Sequence, residues 1–244
     1  MSGRKERARE RVVLVHGLGR TARMFIPMRR KLQQAGFEPV AYDYPSTTAS
    51  APRLVEQFCA YLDDLPDPER RTHLVGFSLG GILIRGALLA GHPAHPGRVV
   101  MIGPPNRGAS ILSRREARLT RYVFGPAVDD LREDSSFINR LGEPEAEIGV
   151  IAGTRRFFLF NPSSWIHMLD SDGEPHDGTV KVHQTKLDQM ADFVTVPANH
   201  TYMCAHEDTI RQTIAFLQHG RFEGGQRADA SASEAAPGAS ATNR

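Results

Sequence analysis

A glycine-flanked serine lies where an apolar segment of the chain stops and a helical pattern begins. The segment reads Gly76-Phe77-Ser78-Leu79-Gly80-Gly81. Residues 72–77 before the serine are apolar enough for a short buried strand, and residues 79–90 after it carry apolar side chains at helical spacing. The sequence therefore predicts a tight strand-to-helix turn at Ser78, which the small glycines on either side permit.

Strand-like and helix-like segments alternate along most of the chain. Further strands are predicted over residues 11–16, 37–42, 98–103, 147–153 and 192–196, and further helices over 21–35, 52–65 and 203–217. This alternation is typical of the α/β class, with a mostly parallel central sheet flanked by helices. A chain of 244 residues is long enough for one such domain, which buries about 70% of its unfolded surface.

One long stretch breaks the alternation and divides the chain. Residues 104–145 contain helical patches but no strand-like run, so we expect a helical lid insertion at the carboxyl end of the fourth strand. Residues 1–10 form a basic tail, and residues 11–222 form the domain. Residues 223–244 lack large apolar side chains and are expected to be disordered.

Composition argues against several classes of partner. The net charge is only +2 and the basic residues are spread along the chain, which does not favour binding to nucleic acid. No apolar run approaches the ~18 residues of a membrane span, and the charged N-terminus differs from a secretory signal, so a cytoplasmic location is expected. The two cysteines, Cys59 and Cys204, are expected to be small core residues. No metal site and no cofactor are predicted, and the oligomeric state is left open.

Two further residues are candidates for a catalytic triad with the serine. A serine hydroxyl becomes a good nucleophile when a histidine takes its proton and an acid orients that histidine. His200 lies in the short loop after the last predicted strand, at the same sheet edge as Ser78. Asp177 precedes Gly178, which permits a turn, and is 23 residues before His200. The other acids in this stretch are Asp170, Asp172 and Glu174.

The loop after the first strand is the second candidate element of the site. A developing oxyanion needs two backbone N–H donors, one from the residue after the nucleophile and one from this loop. We predict the amides of Leu79 and Leu18 for these roles. His16 and Gly17 are expected to support the loop, the histidine by its hydrogen bonds.

Four motifs together resemble the α/β-hydrolase superfamily over residues 11–218, and more narrowly its lipase-like branch of bacterial triacylglycerol lipases and GPI inositol-deacylase-like esterases. These motifs are His16-Gly17-Leu18-Gly19, Gly76-Phe77-Ser78-Leu79-Gly80-Gly81, Gly103-Pro104-Pro105-Asn106-Arg107-Gly108 and Asp177-Gly178-Thr179-Val180. The chain departs from the branch at Phe77, where histidine or tyrosine is usual, and at Pro104 and Asn106, where threonine and histidine are usual.

The motifs and the resemblance predict a serine hydrolase that cleaves a carboxylic ester of a small molecule with an apolar acyl group. A thioesterase or an acyltransferase would use the same triad, and a non-catalytic scaffold that binds a ligand or a partner protein is the alternative from another class. Leu119 and Phe124 of the insertion are candidates for shaping the acyl site. Residues 157–160 and Trp165 are further aromatic candidates.

Overall fold

The computed structural model describes residues 9–112, 120–156 and 173–227, which form an α/β domain around one sheet. The strands are β1 (Arg11–Val15), β2 (Glu38–Tyr42), β3 (Thr72–Phe77), β4 (Pro96–Ile102), β5 (Ile148–Gly153), β6 (Asp192–Val196) and β7 (Gln226–Arg227). Their order in the sheet is β2-β1-β3-β4-β5-β6-β7, with the first six parallel and β7 antiparallel to β6. The predicted fold class, a mostly parallel sheet flanked by helices, is confirmed.

Helices cover both faces of the sheet. They are α1 (Ile26–Gln34), α2 (Ala51–Asp63), α3 (Leu79–Leu89), α4 (Ala127–Asp130), α5 (Ser136–Arg140) and α6 (Glu207–His219). Because successive strand residues point to opposite faces, Val13 and Val15 of β1 pack with α2 and α3, whereas Val12 and Leu14 pack with α1 and α6. Within the described ranges, no helix has the length and apolarity needed to cross a membrane.

The helix that follows Ser78 holds both ends of the inserted stretch. Arg85 of α3 is only 5% exposed, and its guanidinium donates to three backbone carbonyls. Nη1 donates to Asn106 O at 2.8 Å near the start of the insertion, while Nε donates to Gly142 O at 2.7 Å and Nη2 donates to Leu141 O near its end. Burial lowers the pKa of Arg85. The 104–145 stretch is thus anchored at both ends on the helix that follows Ser78.

The C-terminal boundary differs from the one that the sequence predicts. Strand β7 lies inside 223–244, the range expected to be disordered, so the ordered domain extends beyond residue 222. Polar groups order this segment, since the Asp192 carboxylate accepts from the Phe222 amide at 2.6 Å, and Gln212 makes two hydrogen bonds with the Glu223 backbone. A prediction based on apolar side chains does not detect such backbone pairing. Residues 228–244 lie outside the described residues.

Candidate active site

Ser78 occupies the sharp turn between β3 and α3. Its backbone has φ 52° and ψ −119°, a left-handed conformation that is unusual for a residue with a β-carbon. The two glycines of the motif are required by close packing at this turn. A β-carbon on Gly76 would lie 2.6 Å from the backbone carbon of Gly80, and one on Gly80 would lie 2.1 Å from Val15 O. The turn can form because both positions lack a side chain.

The structure brings Ser78, His200 and Asp177 together as a continuous chain of side chains. His200 Nε2 lies 3.1 Å from Ser78 Oγ, and His200 Nδ1 lies 2.6 Å from Asp177 Oδ2. Ser78 follows β3, Asp177 follows β5 and His200 follows β6, so all three stand at the carboxyl edge of the parallel sheet. These are the distances at which a histidine can accept the proton of the serine hydroxyl.

Backbone contacts fix the acid and the histidine. Oδ1 of Asp177 accepts hydrogen bonds from the amides of Thr179 at 2.9 Å and Val180 at 2.8 Å, which leaves Oδ2 directed at His200. The His200 amide in turn donates to Asp177 O at 2.9 Å. The carboxylate is completely buried, and the histidine is 8% exposed. The tight turn at Gly178 lets both amides reach the same oxygen.

Gly103, directly after β4, and Phe77, the last residue of β3, pack against the Asp177–His200 pair. Gly103, with φ 54°, comes directly after β4, and a β-carbon there would lie 3.2 Å from Asp177 Oδ2 and 3.3 Å from His200 Nδ1. The ring of Phe77, where the lipase-like branch usually has histidine or tyrosine, lies 4.7 Å from the His200 ring between centroids. Gly103 therefore leaves room for the Asp177–His200 pair, while Phe77 gives His200 an apolar support.

The loop after β1 lies directly beside Ser78. A β-carbon on Gly17 would lie 3.1 Å from Ser78 Cβ and 2.9 Å from the Phe77 ring, so only glycine allows this approach. The Leu79 amide, at the first residue of α3, and the Leu18 amide make no hydrogen bond within the described ranges. The positive end of the α3 dipole further favours a negative charge near Leu79.

His16 is buried below this loop and connects it to the residues after β2. Its Nδ1 donates to Gly17 O at 2.9 Å, and its Nε2 accepts from the Tyr44 amide at 3.2 Å, which assigns the proton to Nδ1. The Tyr44 hydroxyl donates to His16 O at 2.7 Å, and the two rings stack at 4.2 Å. Burial lowers the pKa of His16 despite the nearby Asp43 carboxylate, which favours the neutral ring at pH 7.

The candidate lid residues are only partly within the described ranges. Phe124 is 40% exposed and covers the loop after β1, because a β-carbon on Gly19 would lie 2.9 Å from its ring. The adjacent Gly125 is so close to Thr47 that a β-carbon there would lie 1.8 Å from Thr47 O. The candidates outside the described residues are Leu119, residues 157–160, Trp165, Asp170 and Asp172.

Sequence reasoning named Gly103 only as part of a family motif, and it missed Tyr44 and Ser46 as parts of this region. The Ser46 hydroxyl accepts from the Gly19 amide at 3.0 Å across 27 residues of sequence. Gly103 carries a recognisable signal, since it directly follows a buried strand at the edge where active-site residues collect. Tyr44 and Ser46 carry none, because their contacts depend on the parallel pairing of β1 with β2.

This fold and arrangement define an α/β hydrolase. The chain belongs to the alpha/beta hydrolase family, whose model matches residues 12–239. The resemblance seen in the motifs is thereby confirmed, and membership of the family supports hydrolase activity. No curated protein is significantly similar in sequence.

Solved structures with the same fold include lipases and a thioesterase. The mature Bacillus licheniformis lipase BlEst2 aligns with a TM-score of 0.69 and 18% identity, over 86% of this chain and 90% of the lipase. Phospholipase PlaB from Legionella pneumophila also gives 0.69, with 15% identity, over 87% of this chain and 60% of PlaB. The type II thioesterase BorB from the borrelidin biosynthetic cluster gives 0.54 at 17% identity, over 89% of this chain and 94% of BorB.

Proposed function

We propose that the protein is a serine hydrolase that cleaves a carboxylic ester through an acyl-enzyme on Ser78. The observation that carries this proposal is the unbroken contact from Ser78 Oγ to His200 Nε2, at 3.1 Å, and from His200 Nδ1 to Asp177 Oδ2, at 2.6 Å. Three residues from three separate loops meet at hydrogen-bonding distance. A non-catalytic scaffold has no need of that geometry.

Each of the three side chains, Ser78, His200 and Asp177, has a role in the reaction. Ser78 Oγ attacks the ester carbonyl carbon while its proton passes to His200 Nε2, and the carbonyl π electrons move to the oxygen. Collapse of this intermediate breaks the bond to the alcohol oxygen, which takes the proton from His200. A water then gives one proton to the same nitrogen and adds to the acyl carbon. Collapse of this second intermediate breaks the bond between the acyl carbon and Ser78 Oγ, which takes the proton back from His200, and the acid leaves. Asp177 keeps Nδ1 protonated and stabilises the imidazolium in both halves.

The amides of Leu18 and Leu79 are proposed to bind the carbonyl oxygen as it becomes negative. Support comes from three observations: Leu79 directly follows the serine, Gly17 next to Leu18 approaches Ser78 Cβ closely, and neither amide has an acceptor within the described residues. Fixed N–H donors stabilise a developing charge strongly, and the loss of one such donor costs about 10²–10³-fold in rate. Because both donors are backbone N–H groups, a side-chain substitution does not remove them. Their role can be tested by substituting the residues that fix their orientation.

The proposed function is tested by covalent labelling and by a substrate series. A fluorophosphonate probe is expected to label wild-type protein at Ser78, as located by mass spectrometry of the labelled peptide. p-Nitrophenyl esters of increasing acyl length are expected to be hydrolysed, with an initial burst if deacylation is slower than acylation. A well-folded protein with neither labelling nor turnover would favour the non-catalytic scaffold.

A thioesterase is the second candidate, and one observation favours it. The type II thioesterase BorB has the same fold over nearly its whole length, so a compact chain of this kind is compatible with thioester chemistry. Acyl-thioesters and esters with matched acyl groups separate the two, since the ratio of kcat/KM values measures the preference. An acyltransferase would instead transfer the acyl group to an added alcohol faster than to water.

We also propose that residues 104–145 act as a lid that shapes acyl selectivity. The supporting contact is the Phe124 ring on Gly19, which places the insertion beside the loop of the proposed oxyanion donor. Leu119 remains a candidate for the same role.

Phe124→Ala is expected to shift the preferred p-nitrophenyl ester toward longer acyl chains and to change KM by about two- to tenfold. Removing the ring alters a contact with the substrate but leaves the nucleophile intact, so fluorophosphonate labelling is expected to stay within about twofold of wild type. Tyr122→Ala is the control, because Tyr122 lies with Phe124 in the helical residues 120–124 and is 94% exposed. Identical chain-length profiles for all three proteins would show that Phe124 is not part of the acyl site.

A further inference from the structure

The residues after β2 form a support for the loop that carries the Leu18 amide. We define residues 43–47 as the clamp segment and residues 16–20 as the oxyanion loop. The Tyr44 hydroxyl and amide bond to His16, and Ser46 Oγ accepts from the Gly19 amide at 3.0 Å. Ser46 is 3% exposed. The clamp segment therefore contacts the loop on both sides of Leu18.

These contacts fix the two peptide planes that flank Leu18. The carbonyl of Gly17 accepts from His16 Nδ1 at 2.9 Å and from the Arg20 amide at 3.2 Å. In a trans peptide the N–H points away from the C=O of the same plane, so these bonds set the direction of the Leu18 N–H. The following plane is held by the Gly19 amide on Ser46. With both planes held, neither dihedral angle of Leu18 can rotate freely.

We propose that Ser46 is a positioning residue for the oxyanion hole. It does not touch the substrate, and it acts by holding the Leu18–Gly19 peptide through its hydroxyl oxygen. His16, a residue of the loop itself, holds the Gly17–Leu18 peptide plane. Ser46 holds the Leu18–Gly19 plane through Gly19, which lies 27 residues before it in the sequence. The inference rests on the proposed function, since the Leu18 amide has this role only if Ser78 attacks a carbonyl.

Loss of the Ser46 hydroxyl is expected to weaken the transition state more than the bound substrate. A donor that tilts away from the oxyanion still allows the neutral ester to bind, because the charge develops only after attack. We expect Ser46→Ala to lower kcat about three- to thirtyfold, with KM within about twofold of wild type. The pH dependence of kcat/KM is expected to be unchanged, because Ser46 does not contact the triad.

The experiment compares Ser46→Ala with Ser50→Ala. Ser50 is four residues further along, and its side chain makes no capping hydrogen bond at the start of α2, so it controls for the same change in composition. An alkyl trifluoromethyl ketone provides a second readout, because Ser78 Oγ adds to its carbonyl and leaves an oxyanion. Its affinity is expected to fall with kcat in Ser46→Ala and to stay unchanged in Ser50→Ala.

Ser46→Cys keeps nearly the same size and offers a weaker acceptor, so it serves if the alanine variant does not fold. It is expected to fall between wild type and Ser46→Ala in both readouts. A Ser46→Ala protein with wild-type kcat and ketone affinity would overturn the positioning role. So would a variant that loses affinity for substrate and ketone equally together with thermal stability. A wild-type protein that neither hydrolyses esters nor binds the ketone would instead reject the proposed function.

Discussion

Ser78→Ala is expected to abolish fluorophosphonate labelling and to lower kcat for p-nitrophenyl esters by about 10⁴-fold or more. The substitution removes the atom that we propose forms the acyl-enzyme, and it leaves His200 and Asp177 in contact with each other. Residual hydrolysis would then come from water that attacks an ester bound near the proposed oxyanion donors. The measurement is steady-state turnover with active-site titration, so that traces of wild-type enzyme are counted.

A matched Ser78→Gly variant separates chemistry from backbone strain. Both variants lack the nucleophile, but only glycine relieves the unfavourable φ of 52° at this turn. A strained non-glycine residue costs about 1–3 kcal/mol, and the added flexibility of an unfolded glycine offsets about 0.4–1 kcal/mol. Ser78→Gly is therefore expected to exceed Ser78→Ala by about 1 kcal/mol in free energy of unfolding, measured by urea denaturation. Near wild-type turnover in either variant would move the nucleophile to another residue.

The candidate site could be predicted to the extent that its signals are local. Ser78 is identified by a strand, a turn and a helix that are adjacent in sequence. His200 and Asp177 follow from topology, because loops after parallel strands collect at one edge of the sheet. The prediction that these two residues pair depended on the strand order and on the turn at Gly178, and the two side chains lie 2.6 Å apart. For the same reason the fold class was predictable from the alternation of strands and helices.

Contacts that join distant segments through polar atoms had no such signal. In the sequence Ser46 has no feature that distinguishes it from an ordinary loop serine. Its hydrogen bond with Gly19 forms because β1 pairs with β2, which brings the two following loops together. Strand β7 reads as part of a polar tail, yet Asp192 and Gln212 order the residues before it. The sequence shows Arg85 only as a single charged residue in an apolar helix, whereas in the structure it bonds to both ends of the insertion. Hydrophobic periodicity does not encode hydrogen bonds between a side chain and a remote backbone group.

Close packing and one hydrogen bond connect the insertion to the proposed oxyanion loop and the clamp segment. Phe124 lies on Gly19 of the oxyanion loop, and Gly125 is packed against Thr47 of the clamp segment. Asp130 of α4 accepts from the Ala51 amide at 2.8 Å, which ties the insertion to the start of α2 just after the clamp segment. The proposed lid and the proposed oxyanion loop therefore share contacts, and we expect acyl selectivity and oxyanion geometry to change together. Substitutions in the insertion should be examined for kcat as well as for KM.

Asp177→Asn is expected to lower kcat by about 10²–10⁴-fold while leaving the fold intact. The position of Oδ1 receives two amide donors, from Thr179 and Val180, so the oxygen of an asparagine is held there. Its NH₂ group must then face His200 Nδ1, where the aspartate oxygen lies at 2.6 Å. A donor at that position makes Nδ1 the acceptor and moves the ring proton to Nε2. His200 can then no longer take the proton of Ser78.

Glu174→Gln is the matched control for this substitution. Glu174 is an exposed acid three residues before Asp177, with His183 Nδ1 3.5 Å from its carboxylate, and its amide variant is expected to retain wild-type kcat. The ¹⁵N chemical shifts of His200 report the tautomer directly, and they are expected to show protonated Nδ1 in wild type and protonated Nε2 in Asp177→Asn. Because the amide donors keep their acceptor, thermal stability is expected to change little. Wild-type activity in Asp177→Asn, with loss of activity in Glu174→Gln, would transfer the role of the acid to Glu174.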